Sequence, residues 1–134
     1  MEDKRIEKRV CKRFEIPGAT ISYKLNKKSE EFCPVIDISR GGIKFLGKKP
    51  LDINTELTLQ ISIPGETIPL SLLGVARWIC YDEEKEKYNI GIQFNPYGEK
   101  KDQNYPGIMV KIIALEQNFS TQDVPRTEKF KIDT

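Results

Sequence analysis

Apolar and polar residues alternate through most of the first hundred positions. In Thr20-Ile21-Ser22-Tyr23-Lys24-Leu25 the apolar side chains fall on every second residue, the period of a strand with one buried face. Phe32 to Ile38 is rich in β-branched residues and reads as a second strand, with Pro34 pointing to an edge or a bulge. Ile43 to Leu46 gives a third. Leu57, Leu59, Ile61 and Ile63 alternate with Thr58, Gln60 and Ser62, the cleanest strand of the chain. Thr67 to Cys80 is a long fifth strand in which Gly74 marks a bulge or bend, and Tyr88, Ile90, Ile92 and Phe94 form a sixth. Polar or Pro-Gly turns separate them: Asn26 to Glu31, Asp37 to Gly42, Gly47 to Asn54, Pro64-Gly65 and Asp82 to Lys87. Six strands joined by short turns predict an antiparallel barrel or sandwich, and a closed barrel leaves no open edge. Beyond Pro96 the period changes. Ile108, Ile112, Leu115 and Phe119 follow i, i+4, i+7, i+11 spacing, and Pro106 suits a helix opening there. The stripe is expected to pack on the strands.

A chain of 134 residues fits one domain with a real core. The pattern divides it into a basic N-terminal segment at 1–14, the strands and helix at 15–119, and a polar tail at 120–134. Net charge is only +2, from 22 basic and 20 acidic residues, so no global field draws the protein to nucleic acid or to a membrane. Basic character is local: Lys4, Arg5, Lys8, Arg9, Lys12 and Arg13 crowd the first segment, which is expected to be mobile until it meets an anion. No stretch approaches the roughly 18 apolar residues of a membrane span, and the start has no apolar signal region, so a cytoplasmic location is expected and the sequon at Asn118 is silent. Cys11, Cys33 and Cys80 are too scattered for a disulfide framework; Cys33 and Cys80 lie in apolar runs and are expected in the core. There is no histidine. That removes the commonest general base, the Ser-His and Cys-His nucleophile pairs and most zinc sites. No paired carboxylates or lysines replace them, so neither an enzyme, nor a metal, nor a cofactor is expected.

Two short motifs carry the chemistry. Arg9-Val10-Cys11-Lys12-Arg13 sets two arginines four apart, just before the first strand. Asp37-Ile38-Ser39-Arg40-Gly41-Gly42 has the form D-x-S-x-x-G, at the turn between the second and third strands. The second arises by chance in roughly one chain of this length in twenty. In this order and at these places on the strand plan, the two resemble the PilZ domain family. Ile90-Gly91-Ile92-Gln93-Phe94 is similar to that family's closing strand, and the resemblance runs from about Lys8 to Phe119. It implies an all-β fold, a six-stranded antiparallel β-barrel with a C-terminal α-helix packed on it, and cyclic di-GMP as ligand.

That ligand suits the residues. Guanine O6 and N7 are acceptors for a guanidinium fork, the opposite edge of the base offers N–H donors to a carboxylate, and hydroxyl and glycine-exposed backbone N–H groups suit a phosphate. The resemblance therefore implies that Arg9 and Arg13 clamp guanines and phosphates, that Asp37 takes the guanine N–H edge, and that Ser39, Gly41 and Gly42 close the other side. Gly91 would let a base lie against the barrel, with Lys8, Arg5 and Arg40 as helpers. Arg77 is expected to be dispensable, and Trp78 to be core or barrel rim. The implied mechanism is a switch: the N-terminal segment orders over the ligand and presents a new surface to an unidentified downstream bacterial protein. The domain would act as a monomer or homodimer, without nucleic acid or membrane insertion. The alternative within the fold is a PilZ-like protein-interaction adaptor that does not bind nucleotide. A barrel binding single-stranded nucleic acid would need a basic groove with interleaved aromatics, which this sequence lacks.

Overall fold

A computed structural model describes residues 12–25 and 28–120. Six strands, β1 (Thr20–Leu25), β2 (Lys28–Ile38), β3 (Gly42–Gly47), β4 (Glu56–Ser62), β5 (Leu70–Asp82) and β6 (Lys87–Phe94), precede one helix, α1 (Pro106–Ser120). The strands close in the order β1-β2-β3-β6-β5-β4, all neighbours antiparallel. Six strands, closure and the C-terminal helix are as the hydrophobic pattern and the family resemblance predicted.

The interior follows the alternation. Ile21 and Tyr23 of β1, Ile43 and Phe45 of β3, Leu57, Leu59 and Ile61 of β4, and Ile90, Ile92 and Phe94 of β6 are all buried. The Tyr23 and Phe45 rings meet at 5.5 Å between centroids. Ile112 of α1 is fully buried, with Ile108, Leu115 and Phe119 packed beside it, so the predicted stripe covers the barrel.

Three register shifts depart from simple alternation. Ile21 faces Cys33 but Tyr23 faces Glu30, so β2 carries an extra residue near Phe32, whose φ of 51° is left-handed. Val35 faces Phe45 while Asp37 faces Lys44, which makes Ile36 a bulge. Ala76 faces Ile92 while Trp78 faces Gly91, which makes Arg77 a third. A bulge resets which residues point inward. On β5, Leu70, Leu72 and Ala76 are inside; after Arg77 the half-buried Ile79 packs on the core instead, and Trp78 is turned out. The expected bulge at Gly74 is thus displaced to Arg77. Gly74 serves packing, since a Cβ there would lie 2.6 Å from Ile92 Cγ2.

Other boundaries also move. β2 begins at Lys28, so the turn expected over Asn26 to Glu31 is shorter, and β5 begins at Leu70, after the turn that follows Pro64-Gly65. Pro34 lies on no edge, because the barrel is closed; it pairs with Thr20 between the first two bulges. Cys33 is buried, but Cys80 falls on the outer side of the reset β5 and is exposed. Cys11 and the tail at 121–134 lie outside the described residues. Phe14, allotted above to the basic segment, is a core residue at 2% exposure.

The connection from β6 to α1 is pinned by Asn104, 3% exposed. Its Oδ1 accepts from Leu73 N at 2.7 Å, and its Nδ2 donates to the carbonyls of Leu73 and Asn95, both at 3.0 Å. Asn104→Ala removes all three bonds and is expected to cost about 2–3 kcal/mol in denaturant unfolding, because Leu73 and Asn95 lose buried partners. Phe45→Ala is expected to cost about 3–5 kcal/mol in the same measurement, and Ile68→Ala, at an exposed position, under about 0.5 kcal/mol.

Candidate functional site

Phe14 places the first functional side chain. Its N–H donates to the Ile38 carbonyl at 3.0 Å and its carbonyl accepts from Ile38 N–H at 2.9 Å, so the chain before β1 forms a bridge to the end of β2. With Phe14 and Ile38 both inward, their neighbours Arg13 and Asp37 stand side by side on the outer surface. Arg13 Nη1 donates to Asp37 Oδ1 at 2.8 Å. The bulge at Ile36 is what turns Asp37 out while keeping Ile38 in. Asp37 is also faced by Lys44, whose Nζ lies 3.8 Å from Oδ2.

The turn after Asp37 is fixed by its own polar groups. Ser39 N–H donates to the Gly42 carbonyl at 2.8 Å, and Ser39 Oγ accepts from Gly41 N–H at 3.2 Å. The hydroxyl keeps its own proton to donate. Ser39 is buried yet lines the cleft beside it. The Gly41 carbonyl accepts from Phe94 N–H at 2.8 Å, which ties the turn to β6. Gly42 is not in the left-handed region. It is glycine because a Cβ would lie 2.3 Å from the Ile92 carbonyl oxygen.

Next to this turn lies a cleft of about 430 Å³ on the outer face of β3, β6 and β5. Lys44, Gly91 and Trp78 form a cross-strand row over it. The indole rests on Gly91: a Cβ there would sit 2.5 Å from Trp78 Nε1. What lies directly on Gly91 is therefore Trp78, and Trp78 presents a half-open aromatic face at 42% exposure. Lys44 Nζ stands 5.8 Å from the ring centroid. One step along, Gly42, Gln93 and Val75 form a second row, and Arg77 reaches Gln93 from the bulge. Arg13, Lys44 and Arg77 all line the cleft, and the nearby acid Asp37 is held between two of them. The surroundings favour an anionic, planar ligand.

The expected site residues divide accordingly. Arg13, Ser39, Gly41, Gly42 and Gly91 line the cleft, and Asp37 holds two of its cations. Arg40 does not join them. Its Nε lies 3.5 Å from Glu116 Oε1 of α1, and its carbonyl accepts from Tyr97 Oη at 2.7 Å, so it ties the turn to the helix instead. Arg5, Lys8 and Arg9 lie outside the described residues. Lys44, Arg77, Trp78 and Gln93 were missed. Lys44 was legible in principle, at the outward position two residues past Gly42. Gln93 was legible in the same way, as the outward residue between Ile92 and Phe94, whereas Arg77 and Trp78 needed the bulge at Arg77, which no residue type announces.

Fold and cleft together define a small closed β-barrel with a cationic, aromatic-floored cleft on its outer surface. The sequence model of the PilZ domain matches residues 4–105, and the chain belongs to this family. Among solved structures, the chain is similar to the inhibitor of motility MotI/DgrA of Bacillus subtilis, with a TM-score of 0.59 and 17% identity over 82% of this chain and 52% of that one. It is also similar to MrkH of K. pneumonia, solved as a complex with c-di-GMP, with a TM-score of 0.59 and 18% identity over 85% of this chain and 54% of that one. The chain thus spans about half the length of these structures. No curated protein sequence matches it. No helix among the described residues is long and apolar enough to cross a membrane.

Trp78 is the only tryptophan, so its fluorescence reports on the cleft alone. Gly91→Ala is expected to lift the indole off the sheet into water and move its emission to longer wavelength, with far-UV circular dichroism unchanged.

Proposed function

We propose that this domain is a cyclic di-GMP receptor and that the cleft between Arg13 and Trp78 is its ligand site. The observation that carries this reading is the Arg13–Asp37 pair, held at 2.8 Å beside the Ser39 turn and opening onto a cationic, aromatic-floored cleft. Family membership and the ligand named for MrkH support it.

Each part has a role that its chemistry allows. Arg13 gives guanidinium donors to guanine acceptors or phosphate oxygens, and can exchange its bond to Asp37 for them. Asp37 then accepts from a guanine N–H edge. Ser39 donates its hydroxyl to a phosphate or a nearby ligand oxygen. Trp78 offers a flat face to a purine, and Lys44 neutralises charge beside it. Arg9 and its basic neighbours join from the segment before Arg13, closing over the dianionic ligand and altering a surface that a partner protein reads. Arg13 itself is already placed by Phe14, so the ordering proposed for the switch concerns the residues before it. The function is recognition followed by signalling, with no bond made or broken.

The Arg13–Asp37 bond is solvent-screened, with side-chain exposures of 57% and 17%. Removing it is expected to change unfolding stability by no more than about 1 kcal/mol. Binding is expected to respond far more. By isothermal titration calorimetry at low salt, the unaltered protein should bind cyclic di-GMP at micromolar concentration or tighter, and Arg13→Ala or Asp37→Ala should weaken binding about ten- to a hundredfold. Absence of heat with the unaltered protein, at ligand concentrations of several hundred micromolar, would reject the proposal. Capture of a partner protein that is indifferent both to the ligand and to Arg13→Ala would favour the adaptor reading.

A further inference from the structure

Arg77 is held in an unusual way. Its Nε donates to Gln93 Oε1 and its Nη1 to Asn54 Oδ1, both at 2.7 Å. Among the described residues no carboxylate pairs with it. Two neutral carbonyls therefore aim the guanidinium without neutralising it. Its mounting is firm as well. Arg77 occupies the β5 bulge, and Asn54, at a left-handed φ of 73°, donates its own N–H to the Ala76 carbonyl at 2.7 Å. The Ala76 N–H in turn donates to the Thr55 carbonyl at 2.9 Å. The loop before β4 is thus stitched to the residue that precedes Arg77.

The hydrogen-bonding inventory gives this corner a definite character. A guanidinium has five N–H donors, and two are spent on Gln93 and Asn54. Gln93 and Asn54 spend their carbonyl oxygens on Arg77, which leaves their amide NH₂ groups. Each of those oxygens keeps one lone pair, but the free N–H groups of Arg77 and of the two amides outnumber them, so the corner is rich in donors. It adjoins the exposed indole of Trp78, the next residue in the chain, which lies flat on Gly91. Arg13 is paired with Asp37 at the end of β2, three strand spacings from β5 around the barrel, or about 14 Å along the sheet. A flat face beside a donor-rich edge, with the guanidinium fork at its centre, fits a planar ring that carries two adjacent acceptors. Guanine has such an edge in O6 and N7; adenine sets an amino donor in the place of O6, and would meet donor with donor.

We propose that Arg77, aimed by Gln93 and Asn54, reads the O6/N7 edge of a guanine resting on Trp78, and is a base-selecting residue of the cleft distinct from Arg13. This rests on the cyclic di-GMP reading given above. It reverses the sequence expectation that Arg77 is dispensable.

The test is calorimetric titration of the unaltered protein, Arg77→Ala and Arg77→Lys with two ligands: cyclic di-GMP, and its analogue in which both guanines are 7-deazaguanine and lack N7. With cyclic di-GMP, Arg77→Ala is expected to bind about ten- to a hundredfold more weakly, the range for one bidentate base contact. Arg77→Lys keeps the charge but loses the fork, and should fall by nearly as much. The 7-deaza ligand should bind the unaltered protein more weakly than cyclic di-GMP does, and lose a clearly smaller factor on Arg77→Ala, because it keeps O6 but has already lost the N7 half of the contact. Equal fold-losses with both ligands would overturn the assignment and place Arg77 on a phosphate. Binding of cyclic di-GMP by Arg77→Ala within about twofold of the unaltered protein would overturn it outright. In both of those cases the unaltered protein still binds, and the receptor reading stands. Failure of the unaltered protein to bind cyclic di-GMP would instead remove the receptor reading and this assignment together. Both variants alter an exposed side chain, and their thermal unfolding checks that each remains folded.

Discussion

Strict inward–outward alternation around a closed barrel is the constraint on which this molecule depends. Every strand has two neighbours, so a side chain either fills the core or stands outside. The cleft exists because that rule is broken locally. At Ile36 one extra residue lets Ile38 stay inside while Asp37 turns out to meet Arg13 and Lys44. At Arg77 another lets Ile79 pack on the core while Trp78 turns out over Gly91. Each shift disrupts a rung of the ladder and gains an outward polar or aromatic group on the same face.

The site is also built largely from contacts that serve the fold. Phe14 is a core residue whose backbone bridge to Ile38 sets Arg13 in place. Gly42 and Gly91 admit the Ile92 carbonyl and the Trp78 indole, and the cleft floor follows from both approaches. Ser39 closes the turn with its hydroxyl oxygen and keeps a proton to donate. On its far side, the same turn is joined to α1 through Arg40 and Glu116, and to the β6–α1 connection through Tyr97. The turn that lines the cleft is thus tied directly to the helix and to the connection that precedes it.

The electrostatics are local, in keeping with a chain that is nearly neutral overall. Asp37 organises Arg13 and Lys44, whereas Arg77 is organised by amides and retains its charge for the cleft. One wall is a salt bridge ready to exchange partners, and the other a fixed donor array. The two walls therefore differ in chemistry, which is the asymmetry that the proposed ligand, with two bases and a dianionic ring, would meet.

The six strands, the helix stripe and most of the core were legible from residue order alone, because a period of two or of 3.6 is a local property written directly into side-chain type. Arg13 before β1 and the Asp37–Gly42 turn were legible for a similar reason, lying in short contiguous motifs. Tertiary structure decided the rest. Arg40 turned to Glu116 because the helix packs next to the turn, and Cys80 came out because the strand had already been shifted at Arg77. Arg77 and Trp78 joined the cleft through pairing with β6, and a bulge is chosen by the register of the partner strand rather than by the residue that forms it.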